Sequence, residues 1–519
     1  GKCFTLFSPV RILSYTIKKL SVFCAVILFS LAYAYGSAIV ETENSSLSLA
    51  AYLRTDLVSF KNVFDLNSHN RDDHTTYFGI DYSLGFLLNL KEADQRLYLK
   101  LERNGPSDYS APLFVHNTLM NTGGVIEEYR NDELLPQLEE FWWDTPLYGN
   151  FRFKVGLYTY EVGNGFSLNG AYENFGFTIS REFENVIWRL YYCRPDLVYK
   201  NHLGPRIRQD EEQGFDYNHN AANFFAADTK FNIGKNYLQP YVGVLADYTS
   251  PGKRSNFFTA PIKKDILGTM GFALNLKREN VSIAIEAARN FGKGQSSNPK
   301  FKDVYHTGYM FYTDIDYCLG KITPSLQFFL GSGNKVSLDD ATSQATTLTS
   351  GKNRAFSYGS PFNDNLSDSI SATHADIRPV VAMGSGYGLN YGVPRPRTFA
   401  ISDFDNIIII SPNLNLEVAK NLSIGLYGYY LRSFERGVGT LNGKAKRLSY
   451  ELGYEADLSI DYKLNKNILL SFLGGYFIPG KYYKELRDDI DGSLFTPFVR
   501  GDGNANSAYQ IEMSVEFQF

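Results

Sequence analysis

Carboxylates and basic groups recur at every second position along several stretches of this chain. Between Glu451 and Leu464, the acids Glu451, Glu455, Asp457 and Asp461 alternate with Leu452, Tyr454, Ala456, Leu458 and Ile460. On an extended chain, residues two apart share a face, so the charges would line one side and the apolar groups the other. The same parity places a basic set, Arg54, Arg96, Lys100, Arg152, Lys154, Arg189 and Lys230, in the N-terminal half. A mainly acidic set follows: Asp247, Glu286, Asp314, Asp316, Glu451, Glu455, Asp457, Asp461, Glu512 and Glu516. Carboxylates at a rim could act as acids or bases, but charges repeated along a wall act first through their field. Facing one another across an enclosed space, they would set up a transverse field that favours polar, dipolar or zwitterionic solutes. Alternatively they pair and rigidify the wall, since isolated buried charges are costly. Both readings stand on the sequence.

Bond-making chemistry finds little support. A nucleophile needs a base beside it, most often histidine. His69, His74, His116, His202, His219, His306 and His374 all fall in predicted loops or at a strand end, and no serine is visibly paired with one. The acidic runs Asp210–Glu212 and Asp488–Asp491 lack EF-hand spacing. We therefore expect no enzyme activity, no metal and no cofactor. A net charge of -4 argues against a nucleic-acid partner. Two of the four cysteines, Cys193 and Cys318, lie outside the N-terminal segment and form no disulfide framework.

The elements that must position the charges are strands. The chain ends in NSAYQIEMSVEFQF, in which Tyr509, Ile511, Met513, Val515, Phe517 and Phe519 alternate with polar residues. An apolar-outside strand closed by an aromatic residue is the usual ending of a bacterial outer-membrane barrel. Period-two segments of the length a tilted membrane strand needs number about eighteen. Connections sort into two kinds: Gly234 to Asn236, Gly320 to Lys321 and Lys420 to Asn421 are short, whereas Asn104 to Leu135 and Gly333 to Asp403 are long. Sorted loops predict an all-β, transmembrane, antiparallel up-and-down barrel with short periplasmic turns, long extracellular loops and periplasmic termini.

Lys18 and Lys19, the apolar run Leu20 to Tyr33 and the small-x-small site Ala32 to Ala34 predict a signal peptide over 1–34, with a second cut site after Ala38. The barrel would then occupy 39–519, with a long extracellular loop at 334–402. That loop carries Arg378, Arg395 and Arg397. Folded into the mouth it would form a constriction with these arginines as anion contacts; left outside, it is mobile surface. Phe141, Trp142, Trp143, Tyr482 and Tyr483 read as interfacial girdle residues. Inward Tyr52, Tyr98, Tyr158, Tyr191 and Tyr241 are candidates for stacking against sugars.

Two stretches resemble the alginate export family of outer-membrane barrels. KVGLYTYEVGNGFSLNG, Lys154 to Gly170, is similar to a strand and tight Gly-rich loop that reads "VGRQ...GDG" in that family. ELGYEADLSIDYKLNKNILLSFLGGYFIPGKYYK, Glu451 to Lys484, is similar to its penultimate strand pair. The resemblance implies an eighteen-strand pore that passes an anionic polysaccharide or related anionic solutes. Leu157 stands in place of the family's Arg, and half of the inferred wall is acidic rather than basic. The expected function is an outer-membrane channel of that kind, or a porin for small polar solutes, or a surface-binding barrel acting through its loops. Expected partners are outer-membrane lipid and the barrel assembly machinery, the latter through Phe519, with the protein a monomer.

Overall fold

The alternation over Ala508–Gln518 folds as read, and the strand it forms closes a ring. The computed structural model describes residues 38–62, 66, 75–103, 137–168, 175–194, 222–248, 262–296, 299–335, 338, 350–357, 377, 379–382, 405–441, 444–489 and 505–518. Its first half comprises β1 (Ala38–Glu41), β2 (Ser45–Lys61), β3 (Thr75–Leu90), β4 (Gln95–Arg103), β5 (Gln137–Pro146), β6 (Phe151–Leu157), β7 (Phe175–Phe183), β8 (Val186–Cys193), β9 (Ala222–Ile233) and β10 (Asn236–Asp247). There follow β11 (Ile262–Arg278), β12 (Val281–Ser296), β13 (Val304–His306), β14 (Tyr309–Tyr317), β15 (Ile322–Gly331), β16 (Lys352–Asn353), β17 (Ile407–Ala419) and β18 (Leu422–Ser433). The chain continues through β19 (Val438–Leu441), β20 (Lys444–Arg447), β21 (Glu451–Lys463), β22 (Ile468–Pro479), helix α1 (Lys481–Asp489) and β23 (Ala508–Gln518).

Of the 21 strands in the main sheet, the short β1, β13 and β16 lie off the ring, which leaves 18. Each ring strand pairs antiparallel with the next, and β23 pairs with β2 from Tyr52 opposite Gln518 to Lys61 opposite Tyr509. No edge remains. Leu57, Phe141, Trp143, Phe225, Met270, Leu326, Tyr454, Ile511 and Met513 stand exposed on the outer face. A closed ring with an apolar exterior lets a chain cross a bilayer with its backbone groups paired. The protein is an outer-membrane β-barrel of the Gram-negative type. Residues 1–37, with the expected signal peptide, and Phe519 lie outside the described residues.

The interior is not polar throughout. Toward the long-loop end, the inward side chains Val58, Phe60, Met310, Tyr312, Phe329, Ile407, Ile409, Leu431 and Phe477 form one apolar cluster. Loop residues complete it: Phe166, Phe356, Ile377, Val381 and Ala382 are buried among them. Parity along a strand tells which face a residue takes, but not which loop will cover it. Tyr482 and Tyr483 were expected in the membrane girdle; they lie in α1, buried, with Tyr483 edge-on to Phe477 at 5.9 Å. Burial pushes the Tyr482 phenol well above its ordinary range.

One bulge shifts the lining. The pairing of β18 with β21 slips between Leu431 and Arg432, so that Arg432 faces Glu451. Gly453 takes φ 144°, a conformation L side chains rarely adopt, and a Cβ there would come 2.3 Å from the Ile478 carbonyl oxygen. As a result Leu452 turns into the inner cluster, and Glu451 shares the outward face of Arg432. Glu451 therefore leaves the predicted lining.

Candidate functional site, the barrel lumen

The segment Tyr158–Leu168 follows β6 and, instead of rising outside, runs along the inner wall. Gly163 and Gly165 take φ of 67° and 81°, which makes the tight turn of the EVGNG sequence possible. A chain of hydrogen bonds then ties this strap to successive strands. Tyr158 meets Thr178 of β7 at 2.6 Å, and the Tyr160 hydroxyl donates to Asp228 of β9 at 2.6 Å while its ring stacks on Tyr191 of β8 at 4.4 Å. Gln239 of β10 accepts from the Gly163 N–H at 3.3 Å. Glu286 of β12, fully buried, accepts from the Asn164 N–H at 2.7 Å, from Ser167 at 2.8 Å and from Tyr241 at 2.8 Å. Phe166 finally packs on Tyr312 of β14 and Phe329 of β15, with ring centres 4.3 and 5.4 Å away. Glu286, placed on the wall by its parity, is thus the anchor of the strap.

Most of the basic wall is neutralised where it stands. Arg54 bonds Asp56 at 2.6 Å and pairs with Glu512 across the closing seam, and Glu516 is its opposite neighbour on β23. Asp144 on β5 accepts from Arg96 at 2.6 Å and from Arg152 at 2.9 Å, and Arg152 reaches Asp94 in the β3–β4 turn at 2.6 Å. Lys100 pairs with Glu102. Arg189 grips Asp228 with three contacts between 3.0 and 3.2 Å, a geometry suited to guanidinium and carboxylate. Lys154 and Lys230 make no ion pair among the described residues. Their ammonium groups rest on rings instead, Lys154 at 4.0 Å from Trp142 and 4.1 Å from Tyr158, and Lys230 at 4.1 Å from Tyr237.

The acidic set is likewise engaged. Asp314 accepts from Gln327 at 3.2 Å, and Asp461 accepts from Ser471 at 2.7 Å. Glu455 and Asp457 receive backbone N–H groups of the long loop. Asp247 is buried on β10, and Asp316 is half-buried on the inner face of β14. Residues 355–357, 377 and 379–382 of the 334–402 segment are thus buried in the mouth, held also by reciprocal bonds of Asn290 with Ser357 at 2.8 Å. Arg378, Arg395 and Arg397 lie outside the described residues, as do His69, His74, His116, His202, His219 and His374.

Several site residues had escaped the sequence reading. Glu140, Trp142 and Asp144 face inward: Trp142 donates to Glu140 at 3.0 Å and lies 5.3 Å from Tyr98. The Phe-Trp-Trp run suggested a girdle, but strand parity divides it, leaving only Phe141 and Trp143 outside. The even positions of β5, set opposite Arg96 and Lys100, would have revealed this. His306, at a strand end, bonds Asp265 at 2.8 Å, a pairing without any sequence signal. Of the stacking candidates, Tyr191 and Tyr241 are buried against the strap, and Tyr158 is buried as its first residue. Tyr98 remains half-buried beside Trp142.

No protein-family model matches the chain, and no curated protein matches it in sequence. Solved structures similar to it include a BenF-like porin from Pseudomonas fluorescens Pf-5, at 9% identity and TM-score 0.49 over 91% of this chain and 98% of that one. OccK8 (OprE) of Pseudomonas aeruginosa matches at 9% identity and TM-score 0.47, covering 91% and 98%. OccK2 (OpdF) of the same organism, in complex with glucuronate, matches at 8% identity and TM-score 0.46, again over 91% and 98%. These likenesses concern the barrel alone.

Proposed function

We propose that the protein is a porin, a passive channel for small polar solutes, narrowed from within by the Tyr158–Leu168 strap and by the long loop. The observation that carries this reading is the paired lumen. Arg54, Arg96, Arg152 and Arg189 each have a carboxylate partner on the same or a neighbouring strand. A wall whose arginines are each neutralised by a carboxylate offers no track for anions and suits dipolar and uncharged solutes. The alginate-export resemblance draws no specific support from the comparisons. A polyanion path also needs unpaired Arg and Lys along its length, whereas only Lys154 and Lys230 among the predicted basic lining lack an ion pair with a described residue. Surface binding through the loops draws less support, because residues 355–357, 377 and 379–382 of the longest loop are buried in the mouth. We further assign a monomer, delivered to the assembly machinery by its last strand.

Reconstituted into liposomes, the protein should admit small sugars and amino acids in a swelling assay, and planar bilayers should show conductance with weak ion selectivity. Absence of both swelling and conductance would overturn the channel reading. A strong anion preference together with passage of oligouronates would restore the export reading.

A further inference from the structure

Glu455 and Asp457 lie two residues apart on the inner face of β21, and both are buried. The long loop sends one turn onto them. Val381 donates its N–H to Glu455 Oε1 at 2.6 Å, Ala382 donates to Glu455 Oε2 at 2.8 Å, and Val380 donates to Asp457 Oδ2 at 3.0 Å. Three successive amides are thus taken up by two carboxylates. The seat is shaped for them: a Cβ on Gly475, the β22 residue opposite Asp457, would come 2.7 Å from Asp457 Oδ1 and 2.9 Å from Val380 Cβ. Val381 and Ala382 then join Ile377, Phe356 and Phe477 in the apolar cluster at the mouth.

The groups packed around the pair are known on each side. β18 sets Tyr427 and Tyr429 opposite Asp457 and Glu455, and β22 sets Gly475 and Phe477 there. Helix α1 adds Tyr482 and Tyr483, and β21 itself carries Asp461 four residues beyond Asp457. Among the described residues no cation pairs with either carboxylate. The turn is therefore held by three amide bonds; Glu455 takes one on each oxygen and so accepts both best as the carboxylate, whereas Asp457 takes one, on Oδ2. A proton on Glu455, or an amide nitrogen in place of one of its oxygens, puts a donor against a donor.

We propose that Glu455 and Asp457 are positioning residues that latch the Val380–Ala382 turn inside the extracellular half of the lumen, so that these bonds set the bore and protonation of Glu455 widens it. The inference rests on the channel reading above, and two readouts separate the two. The first is alkylation of a Val381→Cys thiol by a membrane-impermeant maleimide, in a Cys318→Ser background. Alkylation should be slow in the parent and about tenfold faster or more in a Glu455→Gln/Asp457→Asn background, the scale set by losing charge-assisted bonds. The second is conductance in planar bilayers. The parent should conduct more as the pH falls, whereas the double variant should conduct more at neutral pH and respond little to acid. Folding of each variant is checked by its heat-dependent gel shift, and Glu455→Gln alone serves if the double variant fails to fold. Unchanged alkylation in a folded variant overturns the latch whatever the conductance does. Faster alkylation in a protein that never conducts upholds the latch and overturns the channel. A pH response retained by the double variant also overturns the proposal, because a merely structural role for the two carboxylates would leave that response in place.

Discussion

Asp144 and Asp228 set the sign of the N-terminal wall. Each is buried against arginine, and each sits on a strand whose parity puts it inward. Asp144→Asn should leave Arg96 and Arg152 without their shared partner. The reversal potential in a salt gradient should then move toward anion preference, and an unchanged potential would show that the pair is screened from the path. Asp228→Ala removes the partner of Arg189 and the acceptor of Tyr160 and Gln239 together. Stranding a buried charge costs about 3 to 5 kcal/mol, so the midpoint of guanidinium unfolding should fall clearly. At this scale the sequence was informative about direction and poor about company. Arg96, Arg152 and Arg189 were legible as inward, yet the pairing that cancels them was not, because an ion pair depends on the register of two strands.

The Tyr158–Leu168 strap shows what an element adds. Its sequence announces a tight turn through Gly163 and Gly165 but not the inward course. That course follows from partners scattered over β7 to β15, with Glu286 at its centre. Gly163→Val would place a β-branched side chain at positive φ, where the turn costs roughly 1 to 2 kcal/mol, and bring its Cβ to 3.1 Å from Glu286 Oε2. The expected outcome is a displaced strap and a larger single-channel conductance with the barrel still formed. A folded variant of unchanged conductance would mean that the strap does not narrow the path. The bulge at Gly453 makes the complementary point: one residue out of register exchanged Leu452 for Glu451 in the lining, and an alternation read through it was bound to fail.

Over the whole molecule, the barrel carries an apolar core at its mouth as well as an apolar belt outside. Phe329 and Phe356 are fully buried in that inner core. Phe356→Ala should open a cavity costing about 3 to 5 kcal/mol locally and free the loop before the ring melts. Limited proteolysis of the loop, with the heat-dependent gel shift unchanged, would check this; simultaneous loss of both would show that core and ring unfold as one unit.

The sequence by itself determined the ring: its strand number, its sorted turns and loops, its greasy exterior and the closure of β23 on β2. These follow from a period of two and from backbone hydrogen bonding, both local along the chain or repeated from strand to strand. Only the tertiary structure decided that the arginines pair, that Glu451 leaves the wall and that two loops fold inward to Glu286, Glu455 and Asp457. Those outcomes depend on contacts between residues far apart in sequence, and a side chain's face does not reveal what will come to meet it.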